Sequence, residues 1–323
     1  MLERSAASHC LYCGGDDLRS GVSAVEDLFF RNVPGNFEFR RCAQCGSLVL
    51  ADPLAGDVLH EAYREYYTHS GAGDVRRATG AKQILRERYL QRRFAGRRDP
   101  ATRAMSWFYA RLARDFDTIE RAGRHAPHAP GRVLDYGCGN GDFLMRMRRF
   151  GYDVVGVDFD PVCIERARAN GLSVHSLGAV PDRDWQGAFD FISLAHVIEH
   201  VPEPRDVLRQ LSGWLKPEGT LFVDTPNAEA AGLAVFGRYW RGLEAPRHLS
   251  VPSAAGLLEA ASSCGLTLGT QIVSPSLRRH LWDECMSAVP PDERGVYAER
   301  MDKAPELSPA NAEFLTYLFV KRT

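Results

Sequence analysis

The stretch Arg132-Val-Leu-Asp135-Tyr-Gly137-Cys-Gly139-Asn-Gly141-Asp142-Phe143 decides the fold. Its apolar start predicts a short strand, its three alternating glycines predict a tight turn, and Phe143-Leu-Met-Arg-Met opens a helical pattern. Glycine suits such a turn because it adopts positive φ and lets a ligand approach the main chain closely. The stretch therefore predicts a strand, a turn that cradles a ligand, and a helix.

An acidic residue accompanies each of two predicted strands. Asp135 stands two residues before the first glycine, so the pattern is D-x-G-x-G-x-G and differs from the G-x-G-x-x-G of dinucleotide-binding turns. Tyr152-Asp-Val-Val-Gly-Val-Asp158 reads as a second buried strand, and its terminal acid lies about 20 residues after the glycines, where a carboxylate can bind ribose hydroxyls. Together these features resemble the S-adenosylmethionine-dependent methyltransferases with a Rossmann-like fold.

The resemblance implies a set of cofactor-binding residues. Asp158 would hold the ribose, and Asp135 would position the glycine turn. Gly137 and Gly139 would admit the methionyl part of S-adenosylmethionine. Related enzymes usually carry an acid near the adenine, whereas Ser176-Leu-Gly-Ala-Val180 has none, so adenine there is expected to rely on backbone amides and apolar contact. The expected set also includes Cys138, Phe159 and Ala195.

Strand and helix patterns alternate from Arg132 onward, which predicts an α/β fold with a mainly parallel sheet and helices on both faces. The resemblance implies a Rossmann-like sheet of seven strands whose last strand runs antiparallel. The connection from Ser274 to Ala312 is expected to be an extended loop that shapes the acceptor pocket. The predicted strands are Arg132–Asp135, Asp153–Asp158, Leu172–His175, Phe189–Ala195, Thr220–Asp224, Leu266–Val273 and Phe314–Lys321.

Two C-x-x-C pairs near the start predict a metal site. Each pair is followed by glycine, an arrangement that lets backbone amides point at thiolate sulfur. Four thiolates suit a structural zinc ion, and a reducing cytoplasm disfavours disulfides. A small zinc ribbon is therefore expected ahead of the main domain. Its ligands would be Cys10, Cys13, Cys42 and Cys45.

Length and composition agree with a multidomain globular protein. The chain has 323 residues, of which 45% are hydrophobic and 25% charged, and its formal net charge is −1. We expect a zinc ribbon in residues 1–55, a helical linker or lid in 56–130 and the main domain in 131–323. Because no apolar run approaches the length of about 18 residues that spans a bilayer, a cytoplasmic location and no membrane partner are expected.

The predicted linker contains two features with alternative interpretations. Tyr63, Tyr66 and Tyr67 share one helical face, which is typical of a core stripe, while similar ribbon-bearing enzymes pack such a segment over the substrate mouth. Residues 76–124 carry fourteen Lys or Arg against five acids. They predict either two helices with solvated arginine faces or a surface that receives a phosphorylated or carrier-linked acceptor.

The fourth predicted strand leads into His196-Val-Ile-Glu199-His200, where acceptor chemistry is expected. If these residues form a helical turn, His196, Glu199 and His200 project on one side. His196 is then the first candidate for a general base. Alternatively, the three bind a second divalent ion together with His248, as in a similar motif of small-RNA 2′-O-methyltransferases, or Glu199 and His200 only buttress the cofactor loop.

Three further polar residues are candidate acceptor contacts: Asn227, Glu244 and Arg247. The alternatives are a capping role for Asn227 and an internal ion pair for the other two. The resemblance implies a methyltransferase acting on oxygen or carbon of a small molecule such as a sugar, quinone or natural-product intermediate. The other hypothesis is an RNA-modifying enzyme that uses the ribbon and residues 76–124, although the near-neutral charge makes nucleic acid a disfavoured partner. The sequence does not set the oligomeric state.

Overall fold

The computed structural model describes residues 7–54, 62–63, 81–112, 120–127 and 130–322. The chain divides into two compact units. The first comprises Met1–Tyr66, Ala195–Ser212 and Val223–Arg322, and the second comprises Tyr67–Leu194 and Gly213–Phe222. The three-part division expected from the sequence groups the chain differently and stays a prediction.

A small antiparallel sheet in the first unit contains the predicted ribbon. Its strands are hydrogen-bonded in the order β1-β2-β3-β9, with β1 Leu18–Val25, β2 Phe37–Cys42, β3 Leu48–Leu50 and β9 Ser250–Val251. The fourth strand comes from far along the chain and pairs with β3 through Leu48 and Val251. The ribbon therefore shares its sheet with a segment about 200 residues downstream, a pairing that local sequence patterns do not report.

The second sheet has seven strands in the order β10-β11-β8-β7-β4-β5-β6. Strands β4, β5, β6 and β7 pair in parallel, and β10 pairs with β11 antiparallel, as the sequence predicted. The predicted fifth strand is longer than expected because it already begins at Leu215. The bounds are β4 Arg132–Tyr136, β5 Asp153–Asp158, β6 Ser173–Ser176, β7 Phe189–Ala195, β8 Leu215–Pro226, β10 Leu266–Ile272 and β11 Phe314–Lys321.

The helices follow from capping and apolar periodicity. Asp160 caps one of them by accepting a hydrogen bond from the Val162 amide, and Pro161 occupies its first turn. Another begins after Gly141 and buries Phe143 and Met147 on one face. The helices are α1 Ala81–Phe94, α2 Pro100–Leu112, α3 Asp142–Arg149, α4 Pro161–Ala169, α5 Asp182–Trp185, α6 Pro204–Trp214, α7 Ala231–Phe236, α8 Ala254–Ser263, α9 Pro275–Ala288 and α10 Arg294–Asp302.

The expectation of an extended loop from Ser274 to Ala312 was wrong, because this segment forms α9 and α10. Leu281, Trp282 and Cys285 recur at helical spacing and are buried in the core of the first unit. Glu313 fixes the segment, since its carboxylate accepts hydrogen bonds from the indole groups of Trp240 and Trp282. The connection is therefore a packed helical pair.

Residues 81–112 of the basic segment contain α1 and α2, in agreement with the two predicted helices. Several of its arginines are already paired. Arg93 contacts Glu120 at 2.9 Å, and Arg97 contacts Asp99 at 3.1 Å. The Arg97 pair is exposed, as expected for a solvated arginine face, whereas the Arg93 side chain is only 12% exposed. Reception of a phosphorylated acceptor stays a prediction. Among the described helices, none is long and apolar enough to cross a bilayer.

Candidate active site

The glycine turn after β4 has the backbone conformation that the sequence predicted. Gly137, Gly139 and Gly141 have φ values of 80°, 53° and 83°. The Gly137 amide donates to the Val157 carbonyl oxygen at 2.8 Å, which ties the turn to the end of β5. A Cβ atom on Gly141 would lie 2.2 Å from Leu172 Cδ1, so this position also lacks space for a side chain.

Asp158 ends β5 with its carboxylate at this turn. Its Oδ2 accepts a hydrogen bond from the Gly139 amide at 2.7 Å, and its Oδ1 accepts one from the Asp160 amide at 2.9 Å. Burial raises the pKa of Asp158, while these amide bonds act in the opposite direction. Each carboxylate oxygen can accept more than one hydrogen bond, so the group can still receive ribose hydroxyls.

Asp135 is fully buried below the glycine turn. The guanidinium of Arg124, a residue the sequence analysis missed, donates to Asp135 Oδ1 and to the Ser193 hydroxyl. Asp135 Oδ2 has no hydrogen-bond partner among the described residues. Burial raises the pKa of Asp135, and the neighbouring Arg124 opposes that shift. An unsatisfied buried acceptor next to a glycine turn fits a ligand that brings a donor such as an ammonium group.

In the second unit, the residues that directly follow two neighbouring strands have exposed apolar side chains. Asp158 and Ser176 are register partners of the parallel strands β5 and β6. Phe159 and Leu177 come directly after them and are 58% and 42% exposed. Because successors of register partners lie at the same sheet edge, these side chains offer apolar surface there.

The other two predicted cofactor residues are placed differently. The Cys138 amide donates to the Val157 carbonyl oxygen at 3.0 Å, and the buried Cys138 side chain packs against Gly156. Cys138 therefore supports the turn from below. Ala195 is the last residue of β7 and is partly buried.

His196 lies between two carboxylates of the first unit. Its Nδ1 is 3.4 Å from Glu199 Oε1, and its Nε2 is 3.6 Å from Asp224 Oδ2. The His196 amide also donates to the Asp224 carbonyl oxygen, while the imidazole stays 45% exposed. An accessible imidazole oriented by carboxylates has the geometry of a general base. Asp224 was not predicted, although an acid near the carboxyl end of a strand was a usable signal.

Residues 196–200 do not form the helical turn that would project His196, Glu199 and His200 on one side. His196 has φ +53°, and only Ile198–His200 form a 3₁₀ turn, so the spacing of an α-helix does not apply. Glu199 turns into the protein, where it is fully buried and its Oε2 accepts a hydrogen bond from Thr225 at 2.9 Å. A left-handed backbone at a non-glycine residue is sparsely populated and is common at functional sites.

His200 and His248 form a buried pair beside Glu199. The ring centroids are 4.7 Å apart, and one nitrogen of each ring and one Glu199 oxygen lie within 4.8 Å of one another. Burial lowers the pKa of each histidine to about 4. Burial opposes ionisation of Glu199, but the His196 hydrogen bond and the charges of the three nearby histidines lower its pKa to about 2. His196 does not belong to this convergent group.

Tyr63 reaches this cluster, while its two neighbours in the predicted stripe, Tyr66 and Tyr67, lie outside the described residues. The Tyr63 hydroxyl is 2.9 Å from His200 Nδ1 and donates to the Arg247 carbonyl oxygen at 3.3 Å. Burial raises the pKa of Tyr63, so the phenol is protonated at neutral pH.

Arg247 makes an internal ion pair, which was one of the two predicted alternatives. Its side chain is fully buried, and its guanidinium makes two parallel hydrogen bonds to Asp27 at 2.9 and 3.1 Å. Its Nε donates to the Ala62 carbonyl oxygen at 2.8 Å. Glu244 likewise pairs with Arg241, but its Oε1 has no hydrogen-bond partner in the described part of the chain.

Asn227 also makes internal contacts. Its side-chain amide donates to the carbonyl oxygens of Ala310 and Ala312 at 3.0 and 2.9 Å. Its Oδ1 accepts from the Glu229 amide at 3.0 Å. These bonds account for the donor and acceptor groups of the side chain and hold the segment before β11, which favours the capping interpretation.

The four predicted zinc ligands converge. The Sγ atoms of Cys10 and Cys45 are 3.6 Å apart, and those of Cys13 and Cys42 are 3.5 Å apart. All four lie within 4.8 Å of one another, as expected for sulfur atoms about 2.3 Å from a shared tetrahedral ion. The Gly15 amide points at Cys13 Sγ from 3.4 Å. The residues present therefore fit a zinc ion.

Part of the chain is similar to known methyltransferases. A family model described as "Methyltransferase domain" matches residues 104–271. The "Ubiquinone biosynthesis O-methyltransferase" of Xanthomonas campestris pv. campestris (strain B100) is 36% identical over 118 residues, which are 33% of this chain and 48% of the relative. The protein of the same name from Xanthomonas axonopodis pv. citri (strain 306) is 35% identical over 128 residues, 36% of this chain and 52% of the relative.

The chain thus spans about half the length of these curated relatives. Among solved structures, an S-adenosylmethionine dependent methyltransferase from Mesorhizobium loti is similar, with a TM-score of 0.43 and 17% sequence identity. That match covers 65% of this chain and 99% of the other.

Proposed function

Because the chain belongs to the methyltransferase-domain family whose model its residues 104–271 match, we propose that it transfers the methyl group of S-adenosylmethionine to a small molecule. The observation that carries the proposal is the carboxylate of Asp158 held against the glycine turn by the Gly139 amide. The names of the similar proteins favour an oxygen acceptor, and carbon is the alternative. S-adenosylmethionine would supply an electrophilic methyl group on a sulfonium centre.

Three features of the second unit suit separate parts of this cofactor. The Asp158 carboxylate can accept both ribose hydroxyls, as carboxylates at this position do in nucleotide-binding α/β folds. The unsatisfied Asp135 Oδ2 would accept a hydrogen bond from the methionyl ammonium group. Phe159 and Leu177 would cover the adenine with apolar surface, which removes the need for an acid at that position.

His196 is the proposed general base. It would take the proton from an acceptor hydroxyl as the oxygen becomes methylated, and the nearby carboxylates of Glu199 and Asp224 would stabilise the imidazolium that forms. Glu199 also makes a structural contact, because its second oxygen accepts a hydrogen bond from the Thr225 hydroxyl. Glu244, whose Oε1 has no hydrogen-bond partner among the described residues, is the proposed acceptor contact. Tyr63, whose hydroxyl is 2.9 Å from His200 Nδ1, would lie beside the acceptor.

We assign the four cysteines to a structural zinc ion. The Cys45 carbonyl oxygen accepts from the Ser253 hydroxyl, which also caps α8 by accepting from the Gly256 amide at 3.0 Å. The ion would therefore hold the small sheet and the start of α8 in place, and it has no part in the proposed chemistry.

Calorimetry with S-adenosylhomocysteine tests the cofactor assignment. Wild-type protein should bind it, and Asp158→Asn should bind at least about 10-fold more weakly, because a hydrogen bond to a charged group contributes about 1.5–3 kcal/mol. Asp153→Asn is the control, since this residue of the same strand has a side chain that is 70% exposed. Absence of heat with this compound together with saturable binding of a dinucleotide would contradict the proposal.

A transfer assay tests the base and the acceptor class. Labelled S-adenosylmethionine should pass its methyl group to a small molecule in a cell extract, and label appearing only in RNA would refute the small-molecule assignment. His196→Gln should lower kcat by about 10²- to 10⁴-fold while leaving S-adenosylhomocysteine affinity unchanged. His280→Gln, at an exposed histidine on α9, should leave both values unchanged.

A further inference from the structure

The buried group of Glu199, His200 and His248 has a hydrogen-bond pattern that fixes the protons of both imidazoles. His248 Nδ1 lies 2.8 Å from the Gly242 carbonyl oxygen. A carbonyl oxygen only accepts, so Nδ1 must carry the proton, and Nε2 then presents a lone pair.

His200 has the same tautomer for a similar reason. Its Nδ1 lies 3.1 Å from the Arg247 carbonyl oxygen and 2.9 Å from the Tyr63 hydroxyl. Since the Tyr63 hydroxyl donates to that same carbonyl oxygen, both neighbours present acceptor lone pairs to Nδ1. The Nδ1 proton satisfies both, which leaves the lone pair on Nε2. Backbone-anchored Nδ1–H groups are the usual support of histidines that bind metals through Nε2.

The Glu199 carboxylate is the third potential metal ligand, beside the imidazoles of His200 and His248. The side chain is fully buried, and one of its oxygens lies within 4.8 Å of one nitrogen from each histidine. Two imidazoles and a buried carboxylate that converge in this way match the donor set of a divalent transition-metal site.

We propose that Glu199, His200 and His248 bind a divalent transition-metal ion, separate from the zinc of the four cysteines. Two imidazoles and one carboxylate suit Zn²⁺, Fe²⁺ or Co²⁺, whereas Mg²⁺ and Ca²⁺ prefer all-oxygen sites. Three protein ligands leave coordination positions for water or an acceptor oxygen. A metal site that included His196 was among the sequence hypotheses, and the geometry omits that residue because it lies outside the convergent group.

The site goes beyond the proposed methyl transfer and does not rest on it. Binding of an ion here can be measured without cofactor or acceptor. A protein that binds S-adenosylhomocysteine but no second ion refutes only the metal site, and the reverse result refutes only the transferase assignment.

Metal analysis and cobalt titration of the full chain, purified with its ribbon zinc in place, test the proposal. Wild-type protein should take up one further equivalent of Co²⁺, with weak d–d absorption and without the intense charge-transfer bands of thiolate ligands. Zinc should displace this cobalt. Absence of a further equivalent, or thiolate bands from the added cobalt, would overturn the proposal.

Four variants locate the ion. Glu199→Gln and His248→Gln should each weaken binding of the second ion by at least about 10-fold, a loss typical even for residues that only support a ligand. The surface controls Asp153→Asn and His280→Gln, at side chains that are 70% and 73% exposed, should keep wild-type affinity. Retention of the ribbon zinc and an unchanged melting temperature show that a variant is folded. Equal cobalt affinity in Glu199→Gln and wild type would refute the assignment. If a buried variant does not fold, the number of Co²⁺ equivalents bound by the wild-type protein still decides the question.

Discussion

Replacing Arg247 with methionine separates its two predicted roles, an internal ion pair and an acceptor contact. The guanidinium is fully buried and makes hydrogen bonds to Asp27, Asn32 and the Ala62 carbonyl oxygen. Removing one partner of such a buried pair typically costs about 3–5 kcal/mol, because the remaining charge stays buried. The Asp27 carboxylate keeps the backbone amides of Phe30, Asn32 and Val33, so we expect the lower end, about 3 kcal/mol.

Thermal unfolding measures this loss. Because the entropy of unfolding is about 2.1 cal/mol/K per residue, a loss of about 3 kcal/mol in a chain of 323 residues should lower the melting temperature of Arg247→Met by about 4 °C. Arg209→Met is the matched control, since the Arg209 side chain is 60% exposed and pairs with Asp206 at the surface, where such pairs contribute less than about 1 kcal/mol. An unchanged melting temperature together with a raised acceptor KM would show that Arg247 contacts the acceptor, and the structural reasoning would be wrong.

Three other changes test separate features. Gly141→Ala should lower the free energy of unfolding by more than Gly187→Ala, because both glycines have positive φ but only a Cβ on Gly141 would overlap Leu172. Denaturant unfolding of the two variants measures the cost of this overlap. Cys45→Ser should lose the ribbon zinc in metal analysis, whereas Cys264→Ser should keep it, since only the former belongs to the cysteine cluster. Asp224→Asn should lower kcat by less than His196→Gln does and leave S-adenosylhomocysteine affinity unchanged; a kcat equal to the wild-type value would exclude an orienting role.

Local patterns in the sequence determined the core of the fold. The glycine turn, the acid at the end of the next strand and the two cysteine pairs each depend on residues close together in the chain, and each specifies a backbone conformation or a ligand type directly. The parallel order of the first strands and the antiparallel last pair followed from the alternation of patterns together with the family resemblance. This is why Asp158 was predicted next to the glycine turn and lies within hydrogen-bond distance of Gly139.

Tertiary structure alone decided which polar side chains meet. Arg247 pairs with Asp27 across 220 residues, and β3 pairs with β9, both without a local signal. Periodicity reports which face of an element is apolar, but the partner of a buried polar group depends on where distant segments pack. The positive φ of His196 had the same origin, since the turn that separates this residue from Glu199 is fixed by contacts with β8, whose residue Asp224 accepts the His196 amide.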